Sequence, residues 1–335
     1  MTAVDSSLPS LADRVRTLQT DASVVAAHFL GAVPVFVLGE EAMLFAPREE
    51  EPRRIAIHNG GILASTGDGE RIVSGGDDGK VIATTADGEH TVVAADPKSR
   101  WIDHVALAFE GAIAWSAGKT ASVRTKKGEE RTLDAPSTVA GLAFAPKGFR
   151  LAVAHYNGAT LWFPNAPGAK PEVLEWKGSH LGVTFSPDGR FLVTTMQEPT
   201  LHGWRVADGK HMRMSGYSAR VRSLSWSSDG NFLATSGSEQ LILWPFDGKE
   251  GPMGRQPTLM AQDAARVAVV ACHPRQPVAA VGYANGKVLL VRTEDGALIS
   301  VRDGDGDPVS ALAWEASGQT LAYGTEGGAA GVLVF

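Results

Sequence analysis

Nine histidines, one cysteine and a scatter of carboxylates are what this 335-residue chain offers for chemistry. Imidazole and thiolate are the usual ligands of zinc, so Cys272-His273 and the lone histidines raise a metal hypothesis. Adjacent residues on a strand point to opposite faces, so Cys272 and His273 do not form a ligand pair by themselves. His104 and His180 are the better candidates, because they occupy equivalent places in a repeat described below. Asp68, Asp188 and Asp229 form a carboxylate series, yet each stands directly before a glycine. Asp-Gly is turn chemistry, and acid–base work would need the carboxyl groups to converge on one pocket. The chain contains no Gly-x-Ser-x-Gly elbow, no His-Glu-x-x-His pair and no Gly-x-x-x-x-Gly-Lys-Ser/Thr phosphate loop. The run Gly75-Gly76-Asp77-Asp78-Gly79 lies between two apolar segments, which makes it a hairpin turn and not a nucleotide loop. These residues imply no cofactor.

The elements that would position such groups follow from composition and pattern. Lys plus Arg is 31 and Asp plus Glu is 37, a net charge of −6, which supplies no global basic field for nucleic acid or anionic lipid. A hydrophobic share of 44% with 20% charged residues supports a large core. The 38 glycines, with no collagen period, point to many tight turns. One cysteine excludes an internal disulfide framework. The apolar stretch 24–39 contains His28 and Pro34 and is shorter than the roughly 20 residues of a membrane span, so it reads as two strands joined at Leu30-Gly31. A cytoplasmic location is the resulting expectation.

A repeat organises the rest. The segments 139–154, 181–195, 221–237 and 309–324 share one template, an apolar strand, a Gly-based turn and a second apolar strand. Starting units at Val24, Gly60, His104, Val139, His180, Val221, Val267 and Val309 places Ala27, Leu63, Leu107, Leu142, Val183, Leu224, Val270 and Leu312 three residues on. Five residues on stand Phe29, Ser65, Phe109, Phe144, Phe185, Trp226, Cys272 and Trp314. Apolar residues at offsets three and five alternate as on a strand. A spacing near forty fits a propeller of four-stranded blades, with eight blades expected and seven the alternative. Strands are lettered a to d within a unit. Turns such as 155–158 and 282–286 then join b to c, and Asp208-Gly209, Asp247-Gly248 and Asp295-Gly296 join c to d. Cys272 sits at a core position and is expected to be a buried thiol.

On these residues the chain, over roughly 14–335, resembles the WD-repeat β-propeller family. The match is carried by Phe185-Ser186-Pro187-Asp188-Gly189, by Trp226-Ser227-Ser228-Asp229-Gly230 and by the strand-c residues Trp162, Trp204 and Trp244. The family's Trp-Asp dipeptide becomes Trp162-Phe163, Trp204-Arg205 and Trp244-Pro245, and its opening Gly-His becomes Gly216-Tyr217. The Asp-His-Ser/Thr-Trp hydrogen-bond tetrad of the family is therefore not expected in full in those blades. The resemblance implies a non-catalytic scaffold for a protein or peptide partner. The alternatives are a lactonase- or hydrolase-type propeller enzyme with a metal in the funnel, and a metal-handling adaptor.

The last unit ends after strand c, and residues 14–19 alternate polar and apolar just before the first strand a. An unpaired edge invites aggregation, so the N-terminal strand is expected to complete the last blade. Residues 1–13 read as a flexible lead-in to a single domain over 14–335. In a propeller the loops carry function. The loops from d to a and from b to c hold Trp101, Tyr156, Trp176, Tyr217 and Tyr283, with Arg100, Arg220 and Arg266, residue types enriched at binding hot spots. That face is the expected partner-binding face of a monomer, with neither nucleic acid nor membrane as partner.

Overall fold

The computed structural model describes residues 8–108, 110–166 and 168–335. Residues 1–7 of the expected lead-in, and Phe109 of the expected core series, lie outside the described residues. The 24–39 stretch forms two strands, Val24–Leu30 and Val33–Leu38, which continue through Ala42–Phe45 and Arg53–Ala56 as one antiparallel sheet. The same meander recurs around a ring as all-β, four-stranded antiparallel units. Residues of neighbouring sheets interdigitate to form the core. Phe36 and Leu44 of the first sheet pack with Ala322 and Val332 of the last, which brings the two ends of the ring together.

Ring closure uses the N-terminal strand. Val15–Gln19 pairs antiparallel with Ala329–Val334, in a register that sets Val15 opposite Leu333 and Gln19 opposite Ala329. Gly331 lies opposite both Thr17 and Tyr323, and a Cβ added there would stand 2.3 Å from the Tyr323 ring. Only glycine fits that crossing. The lead-in is also tied down ahead of this strand. Leu11 N–H donates to Ser300 O at 2.7 Å and Ser300 N–H to Pro9 O at 2.8 Å.

Eight blades were expected, with seven the alternative; counted by hydrogen bonding there are seven sheets, six of four strands and one of six. The correction has a local cause. In the unit starting at Val139, strands b and c run together as Leu151–Trp162, and strand d runs into the next strand a as Glu172–Phe185. The first of these is nevertheless a hairpin. His155 Nε2 lies 2.8 Å from Thr160 Oγ1 five residues on, whereas an extended strand would separate them by about 16 Å. Asn157 (φ 68°) and Gly158 (φ 146°) make the reversal. The turn is tight enough that pairing with Glu172–Phe185 resumes beyond it after a register shift between Tyr156 and Gly158, and two units share one sheet.

The large residues at offset five lace neighbouring strands a together. Trp226 Nε1 donates to Thr184 Oγ1 at 3.1 Å, and Trp314 Nε1 to Ala271 O at 3.0 Å. Cys272 N–H donates to Ser225 Oγ at 2.8 Å, while the Cys272 thiol, half-buried, lies 3.5 Å from Ser225 O. Burial pushes that thiol up to about 11. It packs against the cluster of Val270 and Val281 but is half-buried, where its register predicts full burial.

Candidate functional site

The loops from d to a meet the turns from b to c on one face, held by polar bonds in several units. Ser137 Oγ accepts from Tyr156 N–H at 2.9 Å, and Asp307 Oδ1 from Gly327 N–H at 2.7 Å. Asp263 accepts from Asn285 Nδ2 at 3.1 Å and pairs with Lys287. In the 62–95 sheet, His58 Nδ1 lies 3.0 Å from Asp78 Oδ1 and His58 Nε2 lies 2.8 Å from Ser74 Oγ. Burial pushes the Asp78 carboxyl up, but bonds from His58 and the backbone N–H groups of Asn59 and Lys80 outweigh it and leave the pKa below the usual range. This Asp-His-Ser network was not anticipated from the sequence. The signal was available: a histidine two residues before a unit start, and an aspartate in the following b–c turn.

Of the residues expected on this face, the structure leaves some outside and takes others in. Trp101 is 61% exposed in a loop, and Tyr156, expected in a loop, is 59% exposed within the strand Leu151–Trp162, next to the Asn157-Gly158 reversal. Arg266 is exposed and Arg220 half-buried, its guanidinium donating to Gln197 Oε1 at 2.9 Å. Arg100 is exposed and paired with Asp96 at 2.7 Å.

Tyr217 and Tyr283 are corrected from contact residues to packing residues. Tyr217 is 8% exposed; its hydroxyl accepts from Trp244 Nε1 at 2.6 Å and bonds Thr235 Oγ1 at 3.0 Å. It stands where the family has histidine and rebuilds most of the missing tetrad with a phenol. Tyr283 is fully buried and donates to Ala261 O. Trp176 is corrected from a loop residue to a strand residue, half-buried, its ring 4.1 Å from that of His202.

The two candidate metal ligands are not brought together. His180 is fully buried, with Nε2 donating to Trp176 O at 2.9 Å and Nδ1 2.8 Å from Thr194 Oγ1. Burial lowers its pKa. His104 is half-buried on the strand a of another sheet, and burial lowers its pKa as well. Among the described residues no group of three or more His, Cys, Asp or Glu side chains is placed to hold a metal ion. The opposite rim carries the expected turns. Asp188 accepts from Ser186 Oγ and Asp229 from Ser227 Oγ, each at 2.6 Å, followed by Gly189 and Gly230 at φ 78° and 72°. The three aspartates Asp68, Asp188 and Asp229 lie in separate sheets.

The face opens into a central cavity of about 960 Å³ between strands a, with Arg220, Arg222 and Arg266 in its lining. This ring geometry, with the Tyr217–Trp244 and His58–Asp78 networks in place, agrees with the comparisons to known proteins. The family model for the WD domain, G-beta repeat, matches residues 210–244. Residues 210–244 match a WD repeat, and the chain as a whole has a β-propeller fold. WD repeat-containing protein 1-B of Xenopus laevis is 33% identical over 73 residues, 21% of this chain and 12% of that protein's own length. The crystal structure of the computationally designed Ika8 protein superimposes with a TM-score of 0.77 at 17% identity, covering 95% of this chain and 98% of that one. That likeness concerns the fold alone. No helix among the described residues is long and apolar enough to cross a membrane.

Proposed function

We propose that this propeller is a non-catalytic interaction scaffold that binds a protein or peptide on the face of the d–a loops and b–c turns. The observation that carries the reading is the exposure of Trp101, on a loop, and Tyr156, at the hairpin reversal of Leu151–Trp162, while Tyr217 and Tyr283 of the same face are buried. Exposed aromatics on a rigid frame are the residues that become interface anchors. In this reading the protein works in the cytoplasm as a monomer without a cofactor, and neither nucleic acid nor membrane is its partner.

The scaffold is read as eight repeat units. The two halves of the six-stranded sheet pack face to face, with Ala152, Leu161 and Leu174 of one half against Phe185, Leu192 and Trp204 of the other. A single layer cannot bury its own face in that way, so the halves behave as neighbouring blades.

The test is affinity capture from the native host with the wild type, Trp101→Ala, Tyr156→Ala and the double variant. Loss of the same captured partner in the variants, with unchanged circular dichroism, is the expected result. Undiminished capture by the double variant would refute the reading.

A further inference from the structure

The cavity on the scaffold's face has a charge character that the chain as a whole lacks. The protein carries a net charge of −6, yet the cavity is lined by three arginines, Arg220, Arg222 and Arg266, against one acid, Glu326. Arg222 and Arg266 are exposed and form no ion pair among the described residues, while Arg220 is engaged only with the neutral Gln197. Glu239, whose carboxylate accepts from Ser218 Oγ at 2.9 Å, is also attracted by Arg266. Many other arginines of the protein are already matched, such as Arg54, Arg124, Arg205 and Arg292 with neighbouring carboxylates. Uncommitted guanidinium groups converging on a concave site favour a planar oxyanion that can accept their paired N–H donors.

Resting on the scaffold reading above, we propose that the channel mouth takes an acidic peptide segment, with Asp or Glu carboxylates of the partner pairing with Arg222, Arg266 and Arg220. The walls below the arginines are small apolar and hydroxyl residues, including Ser223 and Ser310, so an extended chain meets little steric resistance on entry. A cavity of about 960 Å³ has room for several residues of such a segment. A long polyanion such as nucleic acid fits less well, because beyond the mouth it would run over a surface of net negative charge. Low-dielectric walls strengthen the field of the three cations at the mouth and steer an acidic segment toward it.

The test is fluorescence anisotropy with the full chain and a labelled ten-residue peptide alternating Glu and Gly. Arg222→Glu/Arg266→Glu should weaken this peptide by at least about tenfold and give measurable binding of a matched Lys/Gly peptide, with an unchanged thermal midpoint. Binding should also fall as salt rises through the range that screens exposed charge. No binding of the Glu/Gly peptide to the wild type would overturn the proposal. So would tighter binding of a phosphoserine peptide, inorganic phosphate or single-stranded DNA. If Trp101→Ala and Tyr156→Ala still lose the natural partner while the acidic peptide fails to bind, this inference falls and the scaffold reading stands.

Discussion

The hydroxyl of Tyr217 accepts a hydrogen bond from Trp244 Nε1 at 2.6 Å, across two strands and 27 residues of chain. The same oxygen bonds Thr235 Oγ1, and burial pushes the Tyr217 phenol well above its usual pKa, so it stays neutral. Tyr217→Phe keeps the ring but leaves the buried indole N–H without its acceptor. The expected cost is about 1–3 kcal/mol, read as a lower denaturation midpoint with an unchanged slope. A Tyr217→Phe protein as stable as the wild type would show that the indole finds another acceptor.

Closure by the N-terminal strand predicts a second outcome. Leu18 packs against the cluster that contains Ala330 and Val332. Leu18→Asp should destabilise the ring by about 2 kcal/mol or more, since it places a charge against an apolar surface. Deleting residues 1–19 exposes the edge of Ala329–Val334 and should produce aggregation detectable by light scattering. A monodisperse, fully stable truncated protein would contradict the closure.

His202 predicts an acid response. It is fully buried between Trp176 and Trp204, and neither ring nitrogen has a hydrogen-bond partner among the described residues. Burial, reinforced by His180, His211 and Arg213, lowers its pKa to about 3, and burial lowers His28 to about 4. Unfolded histidine protonates near 6.5. Between that pH and about 3 the unfolded chain therefore binds the proton more readily, and the stability these two residues leave intact above pH 6.5 is lost as pH falls through this window. His202→Phe removes the orphan nitrogens and one of the two titrations. It should flatten the decline of urea midpoint between pH 6.5 and 4 without lowering the midpoint at pH 7.5. An unchanged slope would contradict the assignment.

Local chemistry was legible in the sequence where partners are near in the chain. The turn Ser186-Pro187-Asp188-Gly189 satisfies itself within four residues, so its pattern announces its geometry. Strands a and their alternation were legible for the same reason, and the two strands of 24–39 form as read. Tyr217 was not, because its burial depends on Thr235 and Trp244, 18 and 27 residues away, while its sequence neighbours are glycine and serine. Tyr283 was misassigned for the same reason: its acceptor, Ala261 O, lies 22 residues back. The joined sheet is not legible because the Tyr156-Asn157-Gly158 turn shows its composition but not that pairing with Glu172–Phe185 resumes beyond it across a register shift.

The central claim is that the partner meets the face bearing Trp101 and Tyr156. Its most direct test is hydrogen–deuterium exchange on the free protein and on its complex with the captured partner. Protection should appear around Trp101 and Tyr156 and at Arg220 and Arg266, with none at the turns holding Asp188 and Asp229. Protection confined to the Asp188 and Asp229 turns, with the segments around Trp101 and Tyr156 unchanged, would contradict it.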